Sequence, residues 1–281
     1  MASVWVSGTG TDIGKTVASL ALCSWAAHQK ASKLHYLKPV QCGTYPLGNG
    51  ERGGDANWVD SRMPTELIAR SGSETGKTAW NWDVGMEFPQ PASPHYAARL
   101  SELSKPSEGT ETESYVTKVQ SKIVQAQEKG FDTNTRVVIE GAGGMAVPFD
   151  DQGTTLLDLL PTEMEGILVC APTLGTLNHS LLSIEYAKSK GLSIAGFLTV
   201  EATPPASDEG DTGTEYESPA FLEGLRLDNI QTLEKLGGIP HFGHLPYVST
   251  LASPSAANLL DNVQQLWEGW TPAFTEWWNK Q

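Results

Sequence analysis

The chain has 281 residues, 39% of them hydrophobic, and carries 19 Lys or Arg against 33 Asp or Glu, a formal net charge of −14. That composition supports a sizeable core and excludes wholesale disorder. So acidic a chain is a poor candidate for nucleic acid held through its phosphates or for an anionic membrane face, although local geometry can still hold a small anion. Its 3 cysteines, Cys23, Cys42 and Cys170, lie far apart and suggest neither a disulfide framework nor metal spacing. No basic or long apolar leader precedes Val4, and no apolar run approaches ~18 residues, so a soluble cytoplasmic protein is expected.

In chain order, short apolar runs that read as buried strands recur, each followed by a polar or glycine turn. They are Val4-Trp5-Val6, His35-Tyr36-Leu37, Val137-Val138-Ile139, Ile167-Leu168-Val169-Cys170, Ile194-Ala195-Gly196-Phe197-Leu198 and a weaker one near His244-Leu245. Helical periodicity lies between them. Val17 to Gln29 lines up Val17, Leu20, Ala21, Ser24 and Ala27 or His28, and Tyr115 to Lys129 lines up Val116, Val119, Ile123 and Ala126. Asn178 to Lys190 also reads as helix, closed by Gly191. The alternation predicts an α/β fold, a mostly parallel sheet with helices on both faces in three layers, as one domain over residues 1–281. Three segments interrupt it. Thr44 to Gly54 is a glycine-rich excursion, and the stretch of about 201–217 is acidic with Pro204-Pro205, read as a surface insertion. The tail of about 257–281 holds Trp267, Trp270, Trp277 and Trp278, and is expected to form an amphipathic helix on the body or a partner contact.

The sharpest chemical signal is Gly8-Thr9-Gly10-Thr11-Asp12-Ile13-Gly14-Lys15-Thr16, between an apolar strand and a helix. Such a loop suits a phosphate chain. Glycines let backbone N–H groups approach the oxygens, the helix N-terminus adds its dipole, Lys15 supplies a point charge and Thr16 offers a hydroxyl to Mg²⁺. The spacing is one residue longer than the standard P-loop. A nicotinamide dinucleotide site is disfavoured, because its third glycine would come late and Lys38 stands where a ribose-binding acid is expected. A second Gly-Lys-Thr, in Gly72-Ser73-Glu74-Thr75-Gly76-Lys77-Thr78, has shorter spacing and no apolar strand before it, and reads as a surface turn. A phosphate loop also needs carboxylates for its metal. Glu140 ends an apolar strand and is followed by Gly141-Ala142-Gly143-Gly144, the place where open α/β sheets bind ligands. Asp55, after Gly53-Gly54, is a less distinctive candidate.

These residues resemble the dethiobiotin synthetase family. The resemblance is carried by the long glycine loop, Lys38-Pro39-Val40-Gln41, Asp55-Ala56, Pro91-Ala92-Ser93-Pro94-His95, Glu140-Gly141-Ala142-Gly143-Gly144, Leu174-Gly175-Thr176-Leu177-Asn178-His179 and Thr203-Pro204-Pro205. They occur in the family's order, from residue 3 to about residue 248. The resemblance implies a P-loop NTPase-like homodimer that forms dethiobiotin from 7,8-diaminononanoate, CO₂ and ATP with Mg²⁺. It implies Lys15 and Lys38 as catalytic cations, and Thr16, Asp55 and Glu140 as metal ligands. Nucleotide contacts are expected from Asp12, Ile13, Gly14, Lys15, Thr16, Val17, Asp55, Glu140, Gly141, Ala142, Gly143, Val200, Glu201, Pro246, Tyr247 and Val248. Substrate contacts are expected from Thr11, Lys38, Cys42 and Asn178, the last across the dimer and also a candidate helix cap.

The sequence departs from the family's pattern at several points. Asp12 is one methylene shorter than the usual glutamate, Gly10 replaces a frequent Asp, and Cys42 stands where Ser or Thr is usual. Val200-Glu201 replaces an adenine-reading Asn, and no ribose-binding acid is evident after Tyr247, which leaves ATP or another nucleoside triphosphate as co-substrate. Two nearby lysines are expected to lower the Cys42 pKa. Related amidoligases carry a downstream glutaminase Cys, and partitioning ATPases carry an extra lysine early in the loop. Neither feature is present after residue 180 or between Gly8 and Gly14.

Overall fold

The computed structural model describes residues 3–47, 52–70, 74–101, 114–129, 135–204, 218–253 and 255–281. Its elements run β1 (Ser3–Gly8), α1 (Lys15–His28), β2 (Lys33–Cys42), β3 (Tyr45–Pro46), β4 (Arg52–Gly53), α2 (Asp55–Asp60), β5 (Ile68–Ala69), β6 (Thr78–Phe88), α3 (Pro94–Leu100) and α4 (Tyr115–Lys129). They continue with β7 (Thr135–Gly144), α5 (Leu156–Leu159), β8 (Glu165–Cys170), α6 (Thr176–Ser189), β9 (Ser193–Val200), α7 (Pro219–Gly237), β10 (His241–Leu245), α8 (Leu259–Trp267) and α9 (Pro272–Lys280).

Eight strands form one sheet in the order β10-β9-β8-β1-β7-β2-β6-β5, and every pairing in it is parallel. Side-chain alternation divides the core into two layers. Val4, Val6, Leu34, Tyr36, Val138, Ile167 and Leu198 pack toward α1, α2, α8 and α9. Trp5, Leu37, Val137, Ile139, Leu168 and Phe197 pack toward α3 to α7. Strands buried on both faces must be apolar at nearly every position, which is why they read as continuous runs. The strand after α1 is β2, which lies beyond β7, while β8 to β10 extend the other way. The order therefore reverses beside β1, and the carboxyl ends there form a crevice.

Sequence and structure differ in instructive places. The strand β6 was not expected, because its apolar residues Trp80, Trp82, Val84, Met86 and Phe88 alternate with polar ones instead of running together. The second Gly-Lys-Thr does follow a strand, the two-residue β5, contrary to expectation. It leads into β6 and not into a helix, and its Lys77 pairs with Glu74 at 2.8 Å. Residues 72–73 of that segment, 48–51 of the excursion and 205–217 of the acidic insertion lie outside the described residues. Among the described residues no helix is long and apolar enough to cross a membrane.

The tail packs on the body as two helices, not one. Pro272 cannot continue α8, and Thr271 caps the new helix by accepting from the Phe274 N–H at 3.3 Å. The turn between them closes the free edge of β10. The Thr271 N–H donates to the Phe242 carbonyl at 3.0 Å, and His244 N–H to the Gly269 carbonyl at 3.3 Å. A side chain on Gly269 would place Cβ 1.9 Å from the His244 oxygen, so the approach requires glycine. Phe274 is fully buried, with Trp270 stacked 4.0 Å from its ring and Phe242 at 5.7 Å. Phe274→Ala should therefore cost about 3–5 kcal/mol in urea denaturation, the range for deleting a buried Phe. A loss below about 1 kcal/mol would show that the tail is not part of the core.

Candidate active site

The glycine loop joins β1 to α1 through two left-handed residues, Asp12 (φ 56°) and Gly14 (φ 91°). A Cβ on Gly14 would lie 2.3 Å from Val200 Cγ1, so both the turn and the packing demand glycine there. Lys15 opens α1 and is 7% exposed, and its ammonium reaches back to the Gly10 carbonyl at 2.5 Å. Burial and the neighbouring Lys38 lower its pKa to about 8, against the opposing pull of Glu140, Asp55 and Asp12.

Behind the loop, two adjacent strands place their charges together. Tyr36 pairs with Val138 and Leu37 with Ile139 across β2 and β7. With a side-chain period of two, Tyr36, Lys38, Val138 and Glu140 then share the α1 face. Glu140 is completely buried. Its Oε1 accepts from Lys38 Nζ at 2.6 Å and from Thr16 Oγ1 at 2.9 Å, and its Oε2 accepts from the Tyr36 hydroxyl at 2.8 Å. Lys38 Nζ also lies 2.6 Å from Asp55 Oδ2 and donates to the Gly141 carbonyl at 3.1 Å. Asp55 sits at the start of α2, where its N–H donates to Gln41 Oε1 at 2.9 Å.

The electrostatics follow from burial opposed by pairing. Burial alone would lower the Lys38 pKa, but Glu140 and Asp55 outweigh it and hold the ammonium protonated well above its ordinary range. Burial likewise disfavours the Glu140 carboxylate, yet Lys38 first, and then the Ser19 and Tyr36 hydroxyls, keep its pKa below the ordinary value. Lys38 is thus a fixed positive charge and not a base.

These groups open onto a cleft of about 790 Å³. Of the expected residues, Thr11, Asp12, Gly14, Lys15, Thr16, Val17, Lys38, Cys42, Asp55, Ala142 and Gly143 line it. Glu140 and Gly141 lie beneath it, buried. Ile13, Glu201, Pro246, Tyr247 and Val248 are not part of its lining, and Val200, 1% exposed, supports Gly14 from below. Asn178 is exposed on α6, apart from this cleft. It is the third residue of that helix, and the cap position belongs to Gly175, so the capping role is corrected. Sequence reasoning did not assign Tyr36, Gln41 or Trp58 to the site. Gln41 and Trp58 line the cleft, and only the strand register brings Tyr36 to Glu140.

The Cys42 expectation is also corrected. Its pKa is raised to about 11, because burial comes first and Asp55 adds to it, against the pull of Lys38. Iodoacetamide should therefore label Cys42 at a rate that keeps rising with pH toward about 11, with a Cys42→Ser control left unlabelled. A plateau at or below pH 9 would contradict this. Lys15 gives a second pH signature. Its ammonium is charged below about pH 8 and neutral above it, whereas phosphate oxygens favour the charged form. Nucleotide binding at pH 9 should take up protons, read by calorimetry in buffers of different ionisation enthalpy. Proton release or no net exchange would refute the assignment.

The family model of the AAA domain matches residues 2–255. The ATP-dependent dethiobiotin synthetase BioD of Afipia carboxidovorans is 31% identical over 258 residues, covering 88% of each chain. The enzyme of the same name from Lysinibacillus sphaericus is 30% identical over 247 residues, covering 86% of each. That from Halalkalibacterium halodurans is 29% identical over 246 residues, covering 87% of this chain and 84% of its own. With a P-loop at the switch point of a parallel sheet and this extent of identity, the chain belongs to the family of ATP-dependent dethiobiotin synthetases.

Proposed function

We propose that the protein, acting in the cytoplasm as a homodimer of single-domain subunits, closes the ureido ring of dethiobiotin from 7,8-diaminononanoate, CO₂ and a nucleoside triphosphate with Mg²⁺. The observation that carries the assignment of roles is the Lys38 ammonium, 2.6 Å from both the Asp55 and Glu140 carboxylates beside the phosphate loop. The donor set suits Mg²⁺: one hydroxyl, Thr16, and two carboxylates, Asp55 and Glu140, are hard oxygen ligands. When bound, Mg²⁺ supplies charge neutralisation on the triphosphate oxygens.

The chain's own residues then position and neutralise. Backbone N–H groups from Gly10 to Thr16 and the α1 N-terminus cradle the phosphates. Lys15 and Lys38 face the transferring phosphoryl group from two sides, and Lys38 also faces the carbamate formed from one substrate amine and CO₂. The carbamate oxygen attacks the γ-phosphorus and expels the nucleoside diphosphate; the second amine then attacks the carbonyl carbon, expels phosphate and loses its proton to solvent. No enzyme nucleophile is required, so orientation and electrostatics supply the rate. Thr11 and Cys42 contact the diamine. Asn178, at the α6 N-terminus, receives the tail carboxylate of a substrate bound to the partner subunit. Leu182, one turn along α6 from Asn178, is 63% exposed, and Leu174, just before the helix, is 88% exposed, apolar groups whose exposure supports burial of this region between two copies.

Base recognition is expected to be loose. The Val200 side chain is buried under Gly14, and Glu201 Oε1 is 3.4 Å from His244 Nε2, leaving few groups to donate to a base edge.

Incubation with diaminononanoate, bicarbonate, Mg²⁺ and ATP, CTP or GTP should yield dethiobiotin, detected by mass. Absence of product with all three would refute the activity. Turnover with ATP should exceed that with CTP or GTP by less than about a hundredfold, and a larger ratio would mean that backbone groups read the base. Lys15→Ala and Lys38→Ala should each lower turnover by orders of magnitude, measured well below each variant's melting temperature because the loss of the Lys38 counter-charge also lowers stability. For Lys38→Ala the loss should fall on kcat more than on nucleotide affinity, and a parallel loss of both would count against its assigned role.

A further inference from the structure

Tyr36 lies on β2 two residues before Lys38, on the same face, and is fully buried. It does not line the cleft. Its hydroxyl donates to Glu140 Oε2 at 2.8 Å, while Thr16 and Lys38 both donate to Oε1. The two oxygens of one buried carboxylate are thereby assigned to different donors, the inner oxygen to the core and the outer oxygen to the cleft. We propose that Tyr36 is a positioning residue that fixes the rotation of the Glu140 carboxylate, so that Oε1 stays turned toward Thr16 and Lys38, the side on which Glu140 would help to hold a metal. The proposal rests on the reading of Glu140 as a metal ligand.

The physical case has two parts. A carboxylate with one oxygen unheld turns about its last bond, and hydrogen bonds to a ligand's far side restrict that freedom. Tyrosine suits the task, because its rigid ring packs in the apolar layer with Leu34 and Val138 and carries a donor at its far end. Leu37, the intervening residue, faces the opposite layer, so the register of β2 on β7 leaves this role to Tyr36.

The test measures Mn²⁺ retention by the full-length protein with a non-hydrolysable ATP analogue, read from the free-ion magnetic resonance signal. Tyr36→Phe keeps the ring and removes the donor, and should weaken Mn²⁺ retention by about tenfold or more, the usual cost of losing such a partner. Metal-free binding of the analogue should stay unchanged. Position 36 replaced by 4-aminophenylalanine, which restores an N–H donor in the same place, should recover most of the loss. A purely structural role would move the melting temperature without this donor-specific recovery. Unchanged Mn²⁺ retention in Tyr36→Phe, or no recovery with 4-aminophenylalanine, would overturn the proposal. Glu140→Gln separates the two levels. If it retains Mn²⁺ like the unaltered protein, the metal-ligand reading fails. If it loses Mn²⁺ while Tyr36→Phe does not, only the positioning role fails.

Discussion

The site is organised around a buried positive charge. Lys38 is 3% exposed and lies 2.6 Å from each of two carboxylates, one of them fully buried. Removing such charges from water costs several kcal/mol per ion, and the interior tolerates them only when pairing and hydrogen bonds are nearly complete. Glu140 meets that demand with Lys38, Thr16 and Tyr36, and Lys38 with Glu140, Asp55 and the Gly141 carbonyl. The arrangement is strongly constrained because removing one partner strands the others. The same constraint prepares the chemistry, since fixed charges need little reorganisation when phosphoryl transfer develops new charge.

The scaffold makes that pairing geometrically inevitable. Parallel register sets β2 beside β7, and a period of two sends Tyr36, Lys38 and Glu140 to the face that α1 covers. The loop before α1 crosses the same strand ends, with Val200 of β9 supporting Gly14 and leaving no room for a Cβ. The aromatic tail holds this layer from the other side. Trp267 donates to Ser24 on α1 at 3.1 Å, and Trp277 donates to Glu165 on β8 at 2.8 Å. Core packing, edge protection and the position of the phosphate loop are thus coupled through one helix.

The legible parts of the sequence were those with a local physical signature. Continuous apolar runs marked the doubly covered strands, and Glu140 stood out because it ends the apolar run just before Gly141-Ala142-Gly143-Gly144, although β7 itself continues through those glycines to Gly144. Lys15 and Thr16 were readable from the loop itself, and Lys38 from the polar break after an apolar run. The Tyr36 contact was not readable, because it depends on register between segments separated by 104 residues. The sign of the Cys42 shift was missed for a related reason: neighbouring lysines suggested a lowered pKa, but burial decided it. Strand β6 escaped because alternation looks unlike the continuous runs beside it, and Val200 because only strand parity tells which way its side chain points.

The most direct test of the central claim is a double-mutant cycle on stability, using Lys38→Met and Glu140→Gln with nucleotide and metal withheld. Lys38→Met alone should lose about 3–5 kcal/mol, because it leaves a carboxylate buried without its counter-charge. The double variant should be less destabilised than the sum of the two single variants by more than about 1 kcal/mol, the sign of direct coupling. Losses that add to within about 0.5 kcal/mol would contradict the account, since residues that behave independently cannot be what holds the site together.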